Sequence, residues 1–204
     1  MPDRIAVDLL RLARNPVSGR IRHRGSLNIA LRAALFAELA LNGEIVDEGN
    51  APKLTSPEPT GDRIFDAILR TVGTRPNVTW RRWFRHVSAD LAALCAELVD
   101  AGRWIPMRGW YTAFTDAKPD EVQANALELE RVARFERAPR DQREAVLTLL
   151  AIACGALGRR PRPAAIRREL KSVFDAVDDL TTQKVVATAA TLIRRSRRGL
   201  NPAR

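Results

Sequence analysis

The chain has 204 residues, enough for one domain with a sizeable hydrophobic core. Hydrophobic residues make up 46% and aromatic residues 5%, and the abundance of Ala, Leu and Arg favours helix. No apolar run approaches the roughly 20 residues that span a bilayer, and no apolar core follows a basic start, so we expect a cytoplasmic protein without a secretory signal.

The net charge of +10 is concentrated at the two ends of the chain. Residues 1–32 carry seven Arg against two Asp, a net charge of +5, and residues 155–204 carry twelve basic against four acidic side chains, a net charge of +8. The middle is therefore near −3. This segregation indicates an anionic partner, which is a nucleic acid, a membrane surface or an acidic protein, although a solvated basic surface is the alternative.

Helical periodicity predicts most elements of the N-terminal half. A first helix begins near Ile5 and is stopped by Asn15-Pro16. Ser26 is the expected N-cap of a leucine-striped helix that ends at Asn42-Gly43. A short hairpin pairing residues 44–47 with 53–55 follows, and then a helix capped by Thr60 or Asp62 that ends at Gly73.

The second half is also predicted to be helical, with one prominent β-hairpin at about residues 103–114. Helices are expected from about Thr79, over Leu91–Gly102, from Pro119 to about Arg137, over Val146–Leu157, and twice more before the basic end. The fold class is therefore a mostly α, single globular domain over residues 1–198, followed by a frayed basic tail at 199–204.

Catalytic and metal-binding patterns do not stand out in this sequence. The only histidines, His23 and His86, lie far apart, and Cys95 and Cys154 fall in helical patterns that suit small buried side chains. Acidic residues such as Asp178-Asp179 are typical of solvated helix faces. We therefore expect no enzyme activity and no metal or organic cofactor.

A basic cluster precedes and enters the leucine-striped helix. It consists of Arg20, Arg22, His23, Arg24 and Arg32. A helix N-terminus attracts phosphate through its unpaired N–H groups and its dipole, and Arg adds bidentate donors. The cluster predicts an anion-binding site, with a solvated basic loop as the alternative.

Three stretches, in order, resemble the Golgi phosphoprotein 3 family. Residues 31–45, read as LRAALFAELALNGEI, are similar to the family's leucine-rich helix. Residues 59–62, PTGD, with the following FDAIL, are similar to its Pro-Thr-Gly-Asp turn and the helix behind it. Residues 97–102, ELVDAG, resemble the helix that leads into its β-hairpin. The match covers about residues 5–157, and the Ala- and Arg-rich composition resembles that of bacterial members.

The resemblance implies a mostly helical protein that recognises phosphatidylinositol 4-phosphate at a membrane surface. It places Arg32 in the headgroup pocket, whereas the family's aromatic falls near His23 and its basic pair after the hairpin falls at Asp120–Gln123, where Lys and Arg are missing. Eukaryotic members retain Golgi glycosyltransferases through cytoplasmic tails. A protein client of that kind is therefore one further partner left open, and self-association through the hairpin is another.

The hairpin carries side chains that favour the membrane–water interface. The expected contact residues are Ile105, Pro106, Met107, Arg108 and Trp110, with Pro106, Met107 and Arg108 at the tip and with Trp104 and Tyr111 in the flanking strands. The resemblance implies that this hairpin enters lipid or makes oligomer contacts. Packing of one hairpin face on the core is the alternative.

A rival interpretation is a winged-helix or nonspecific nucleic-acid-binding protein. The helix before the hairpin, Ser88–Ala101, would then enter the major groove, but it contains no Lys or Arg. The basic end, with Arg194, Arg195, Arg197 and Arg198, keeps nonspecific binding open. Nucleic acid is the less favoured partner.

Overall fold

The computed structural model describes residues 4–56, 58–86, 91–107, 113–157 and 171–199. The helices are α1 Ile5–Ala13, α2 Arg24–Leu41, α3 Arg63–Thr74, α4 Trp80–His86, α5 Leu91–Asp100, α6 Pro119–Ala133, α7 Gln142–Cys154 and α8 Leu180–Gly199. The strands are β1 Ile45–Glu48, β2 Ala51–Leu54, β3 Trp104–Pro106 and β4 Phe114–Asp116. A further helical segment covers residues 171–175. The predicted mostly α fold is confirmed.

Helix α2 lies at the centre of the hydrophobic core and packs against α1, α7 and α8. Its leucine stripe and its Ala-rich sides are buried, because small side chains let neighbouring helices approach closely on several faces. Phe36 on α2 meets Trp80, Trp83 and Phe84 of α4, with ring centroids 5.4–5.9 Å apart. This aromatic cluster holds α4 against the middle of α2. Both cysteine side chains are buried, as expected.

The start of α2 differs from the prediction. The helix begins at Arg24, and its N-cap is His23, whose left-handed backbone (φ 53°) makes no side-chain capping bond. Ser26 was therefore wrongly assigned as the N-cap, and it lies buried in the first turn. The sharp left-handed turn at His23 redirects the chain from the preceding loop into the helix three residues earlier than the Ser26 signal suggests.

Two helix starts set by local signals agree with the sequence, whereas one helix end does not. Asp62 caps α3 by accepting the backbone N–H groups of Ile64 and Phe65, at 2.9 and 3.2 Å. Helix α6 starts at Pro119 as expected but ends at Ala133, before the predicted Arg137. The chain turns there because Phe135 is left-handed (φ 61°). Arg137 instead bridges Glu128 and Glu144, at 3.0 and 2.6 Å.

The first hairpin forms where it was predicted, with a tighter turn. Ile45 pairs with Leu54 and Glu48 pairs with Ala51, so only Gly49 and Asn50 connect the strands. Both turn residues have positive φ, 58° and 69°, which suits the right-handed twist of a two-residue hairpin. The expected loop over residues 48–52 was therefore too long.

The second hairpin also forms, but its register differs from the prediction. Trp104 pairs with Asp116 and Pro106 with Phe114, so the strand opposite Trp104-Ile105 consists of residues 114–116. Pro106 is a strand residue, and the backbone N–H of Met107 donates to Ala113 at 3.0 Å. Pro106 and Met107 therefore do not form the tip. Arg108, Trp110 and Tyr111 lie outside the described residues, as do residues 200–204 of the expected tail.

A buried charge network sets this register. Asp116 accepts from Arg11 of α1 at 3.0 Å through both carboxylate oxygens, and from the Trp104 indole N–H at 3.1 Å. Burial opposes ionisation of Asp116, but the hydrogen bonds from Arg11, Lys118 and Trp104 outweigh it and hold its pKa below the usual value. The hairpin is thus anchored to α1 by its Asp116 end.

Candidate functional site

The basic stretch between α1 and α2 is folded back on itself. Asn15 N–H donates to the Arg20 carbonyl at 2.8 Å, and Arg22 N–H donates to the Ala13 carbonyl at 3.0 Å. Arg14 forms an antiparallel bridge with Ile21. We name residues 14–24 the basic loop.

The basic loop lies beside the second hairpin. Arg20 forms an antiparallel bridge with Ala113, and Phe114 N–H donates to the Gly19 carbonyl at 3.0 Å. Gly19 is left-handed (φ +67°), and a Cβ there would lie 2.5 Å from the Met107 sulfur and 2.7 Å from the Phe114 carbonyl oxygen. Only glycine permits this approach. The structure thus brings the basic loop and the hairpin, two of the predicted contact regions, side by side.

The charged side chains of the basic loop differ in burial. Arg20, His23 and Arg24 are exposed, whereas Arg22 is half-buried, with its Nη2 3.5 Å from the Arg14 carbonyl. Arg14 itself is buried, and burial lowers the pKa of its guanidinium despite the nearby charge of Asp116. The basic loop therefore combines exposed basic side chains at its surface with one buried cation, Arg14.

The described part of the hairpin is apolar on its outer side. Ile105 is 57% exposed and Met107 37% exposed, and Pro106 is exposed as well. Trp104 instead is buried and stacks on Phe114, with centroids 4.7 Å apart. Core packing thus accounts for Trp104, as the alternative interpretation allowed, while the other three stay available for contacts.

Arg32 lies apart from the basic loop, in a cleft of about 410 Å³. Helix α2 lines the cleft with Gly25, Asn28, Ile29 and Arg32, α4 with Phe84 and Arg85, and α8 with Leu192, Arg195 and Ser196. Asn28 and Arg32 lie one and two turns after Arg24 on the same helix face. The cleft therefore continues the basic start of α2 along the helix.

The guanidinium of Arg32 is half-buried, and no carboxylate of the described residues pairs with it. Its Nη1 donates to the Phe84 carbonyl at 2.6 Å, and its buried Nε has no hydrogen-bond partner among the described residues. Burial lowers the pKa of Arg32, whereas the carboxylate of Asp116 raises the pKa of Arg11. Within the described residues, Arg32 is thus a partly desolvated cation whose neighbours include a carbonyl but no carboxylate, an arrangement that an anion would complement.

Two further cations flank Arg32 that the sequence did not single out for this site. Arg85 and Arg195 are exposed residues that line the cleft, and no acidic side chain is among its described lining residues. Arg85 lies 53 residues and Arg195 lies 163 residues after Arg32 in the chain, so no local sequence motif links them to Arg32. The signal that was available is the spacing of Arg24, Asn28 and Arg32 on one face of α2.

The start of α6 lacks the basic pair that the resemblance leads one to look for. Asp120 and Glu121 are exposed there, and Glu121 lies 3.3 Å from Lys118 and 3.7 Å from Arg11. This region is therefore acidic and paired with its own neighbours. The cations around Arg32 come from α4 and α8 instead.

None of the helices in the described ranges combines the length and apolar character needed to cross a bilayer. No curated protein sequence matches the chain. The family model for Golgi phosphoprotein 3 (GPP34) matches residues 5–196, which include the leucine-rich helix, both hairpins and most of α8. The chain therefore belongs to the Golgi phosphoprotein 3 family.

Proposed function

We propose that this protein is a peripheral membrane adaptor that binds phosphatidylinositol 4-phosphate or another anionic lipid headgroup in the Arg32 cleft. The observation that carries the proposal is the half-buried Arg32 guanidinium without a carboxylate partner among the described residues. Membership of the Golgi phosphoprotein 3 family supports it. The protein acts by binding, not as an enzyme.

A phosphate group suits the cleft on electrostatic grounds. The planar guanidinium of Arg presents a fork of donors that matches the oxygens of a phosphate. Arg32 sits in a partly desolvated position, where the attraction between opposite charges is stronger than in bulk water. Arg85 and Arg195 at the lining add two more positive charges to hold a group of charge near −2.

The basic loop and the hairpin would hold the protein on the surface around that headgroup. Each basic residue near an anionic membrane contributes about 1 kcal/mol, so Arg20 and Arg24 together add about 2 kcal/mol. Exposed charges are screened within about 8 Å at physiological salt. The apolar contact of Ile105 and Met107 is not screened, so we expect binding to weaken with salt without disappearing.

Selectivity among acidic lipids is expected to be low. The exposed acids at the start of α6, Asp120 and Glu121, leave one side of the predicted family pocket without cations. We therefore expect little preference for phosphatidylinositol 4-phosphate over other acidic lipids. A protein client and self-association through the hairpin stay predictions.

Vesicle co-sedimentation of the full chain, run beside a DNA-shift assay at physiological salt, tests the proposal. Arg32→Ala should weaken binding to vesicles containing phosphatidylinositol 4-phosphate, and Met107→Asp should weaken binding to all vesicles. Arg70→Ala is the matched control, because Arg70 is an exposed arginine on α3 whose guanidinium donates to the Asp66 carbonyl of its own helix. It should bind as the wild type does.

Two results would contradict the proposal. If wild-type protein does not bind acidic vesicles even at low salt, yet shifts DNA with a steep salt dependence, the membrane proposal is wrong and nucleic-acid binding takes its place. An Arg32→Ala variant that binds vesicles as tightly as Arg70→Ala does would remove the cleft from the mechanism.

A further inference from the structure

A turn near the start of the basic loop exposes an apolar side chain on a hydrogen-bonded backbone. Val17 is 91% exposed. Its backbone N–H and that of Ser18 both donate to the Asn15 side-chain oxygen at 2.9 Å, and Gly19 N–H donates to the Asn15 carbonyl at 2.9 Å. Pro16 has no N–H to satisfy. We call residues 16–19 the valine turn.

This hydrogen bonding affects whether the turn can enter an apolar environment. A backbone N–H group that enters an apolar medium without a partner costs several kcal/mol, which keeps ordinary loops out of lipid. Every backbone donor of the valine turn is already satisfied by Asn15. Satisfying these donors lowers the cost of moving the tip out of water, while the Val17 side chain gains from burial.

The valine turn is attached to the apolar side of the hairpin. The Gly19 carbonyl accepts from Phe114, and Gly19 packs against the Met107 sulfur. Met107 and Ile105 are themselves exposed. Single exposed apolar side chains are common on proteins, but several grouped at one edge mark an interaction surface.

The charges beside the turn identify the chemistry of the partner. Arg20 follows the valine turn directly and Arg24 lies four residues further on, both exposed. An apolar tip next to exposed arginines is complementary to an anionic bilayer, which offers a negative surface above an apolar interior. An apolar protein groove would not require the flanking positive charge.

We propose that the valine turn is a second apolar membrane contact, which enters the interface of an anionic bilayer beside the β3–β4 hairpin. This inference rests on the proposed function, because it requires that the protein binds membranes. Asn15 is the positioning residue that keeps the turn backbone satisfied. The protein would thus contact the bilayer through two neighbouring apolar segments, the valine turn and the hairpin, and through the exposed cations Arg20 and Arg24.

A solvent-sensitive fluorophore on the full chain tests the proposal. Val17→Cys is labelled with a nitrobenzoxadiazole dye in the folded state, where the native Cys95 and Cys154 are buried. We expect a several-fold rise in emission on vesicles of phosphatidylcholine with phosphatidylserine, and none on phosphatidylcholine alone. The matched control is Leu180→Cys, because Leu180 is 77% exposed but follows Asp178 and Asp179. Its label should not respond.

A binding measurement supplies the second arm. Val17→Asp should bind the acidic vesicles about tenfold more weakly than wild type, since losing one buried Val side chain costs enough to change the affinity by that factor. Leu180→Asp, which adds the same charge elsewhere, should stay within about twofold. Circular dichroism of each variant confirms that it is folded.

The outcomes separate this inference from the proposed function. If wild-type protein co-sediments with acidic vesicles but the Val17 label does not respond, the valine turn is not a membrane contact and the proposed function stands. If wild-type protein binds neither these vesicles nor vesicles containing phosphatidylinositol 4-phosphate, both fail. If the label responds to protein concentration without vesicles, the occupant of this surface is a second copy of the chain, and the membrane inference is wrong.

Discussion

Replacing Arg32 by Met is expected to separate binding from stability. The substitution keeps the apolar stem that packs in the cleft and removes the charge and its donors. Loss of the hydrogen bond to the Phe84 carbonyl costs about 1.5–3 kcal/mol. Arg32 is a half-buried cation without a carboxylate partner among the described residues. Its removal also relieves a desolvation cost of similar size, which stabilises the folded state. The two contributions oppose each other, so the net change in unfolding free energy should stay within about 1 kcal/mol.

Binding should respond much more strongly than stability. A charge-assisted hydrogen bond contributes about 1.5–3 kcal/mol, which corresponds to a roughly ten- to hundredfold change in affinity. Arg32→Met should therefore lose about this factor on acidic vesicles. For a chain of this length a change of 1 kcal/mol moves the melting temperature by about 2–4 °C, so the thermal shift should be no larger.

Arg11→Met is the contrasting variant, because Arg11 has a buried carboxylate partner in Asp116. Breaking that pair leaves a buried charge alone and should cost about 3–5 kcal/mol, or very roughly 6–20 °C in melting temperature. Thermal denaturation and vesicle co-sedimentation of both variants measure the two effects. The proposal that Arg32 binds an anion would be refuted if Arg32→Met had a melting temperature as low as that of Arg11→Met. It would also be refuted if Arg32→Met bound acidic vesicles with wild-type affinity.

Four further substitutions test the supporting structure. Asp116→Asn should lower the unfolding free energy by about 3–5 kcal/mol, because Arg11 then loses its buried counter-charge; urea denaturation measures this, and a loss under 1 kcal/mol would contradict it. Gly19→Ala should cost about 1–3 kcal/mol through its positive φ and the close Phe114 carbonyl, whereas Gly25→Ala, in a helix with open space around its Cβ, should gain about 0.5–1 kcal/mol. Burial raises the pKa of Asp8 from 3.8 to about 6, so its protonation favours folding below about pH 4 and that contribution is lost as the pH rises through 6. Asp8→Asn should therefore stabilise the protein by about 2 kcal/mol at pH 7.5 and by little near pH 4; an equal gain at both pH values would show that ionisation is not the cause.

Local patterns predicted the helical fold well. The leucine stripe of α2, the Asp62 cap of α3 and the Pro119 start of α6 all lie where short-range rules place them. These features depend on residues three or four apart, whose interactions are the same in any helical context. The same local stretches carry the motifs that predicted the family.

Strand register and helix starts near the site were less predictable. The Trp104 register depends on Asp116 meeting Arg11, which lies 105 residues earlier in the chain. The start of α2 depends on a left-handed His23 at the end of a loop whose Arg20 bridges Ala113 in the hairpin. Such choices follow from contacts between distant elements, and no short window of sequence contains them.

The sequence by itself predicted the helical fold and the family, and it singled out Arg32 and the basic residues before α2 as candidates for anion binding, because periodicity, caps and charge are local properties of the chain. Only the tertiary structure decided that Arg85 and Arg195 line a cleft with Arg32 and that the basic loop adjoins the hairpin. Packing of α4 and α8 on α2 brings those charges together. A cation becomes a binding site when its surroundings remove water and supply no carboxylate, and those surroundings come from residues far away in sequence.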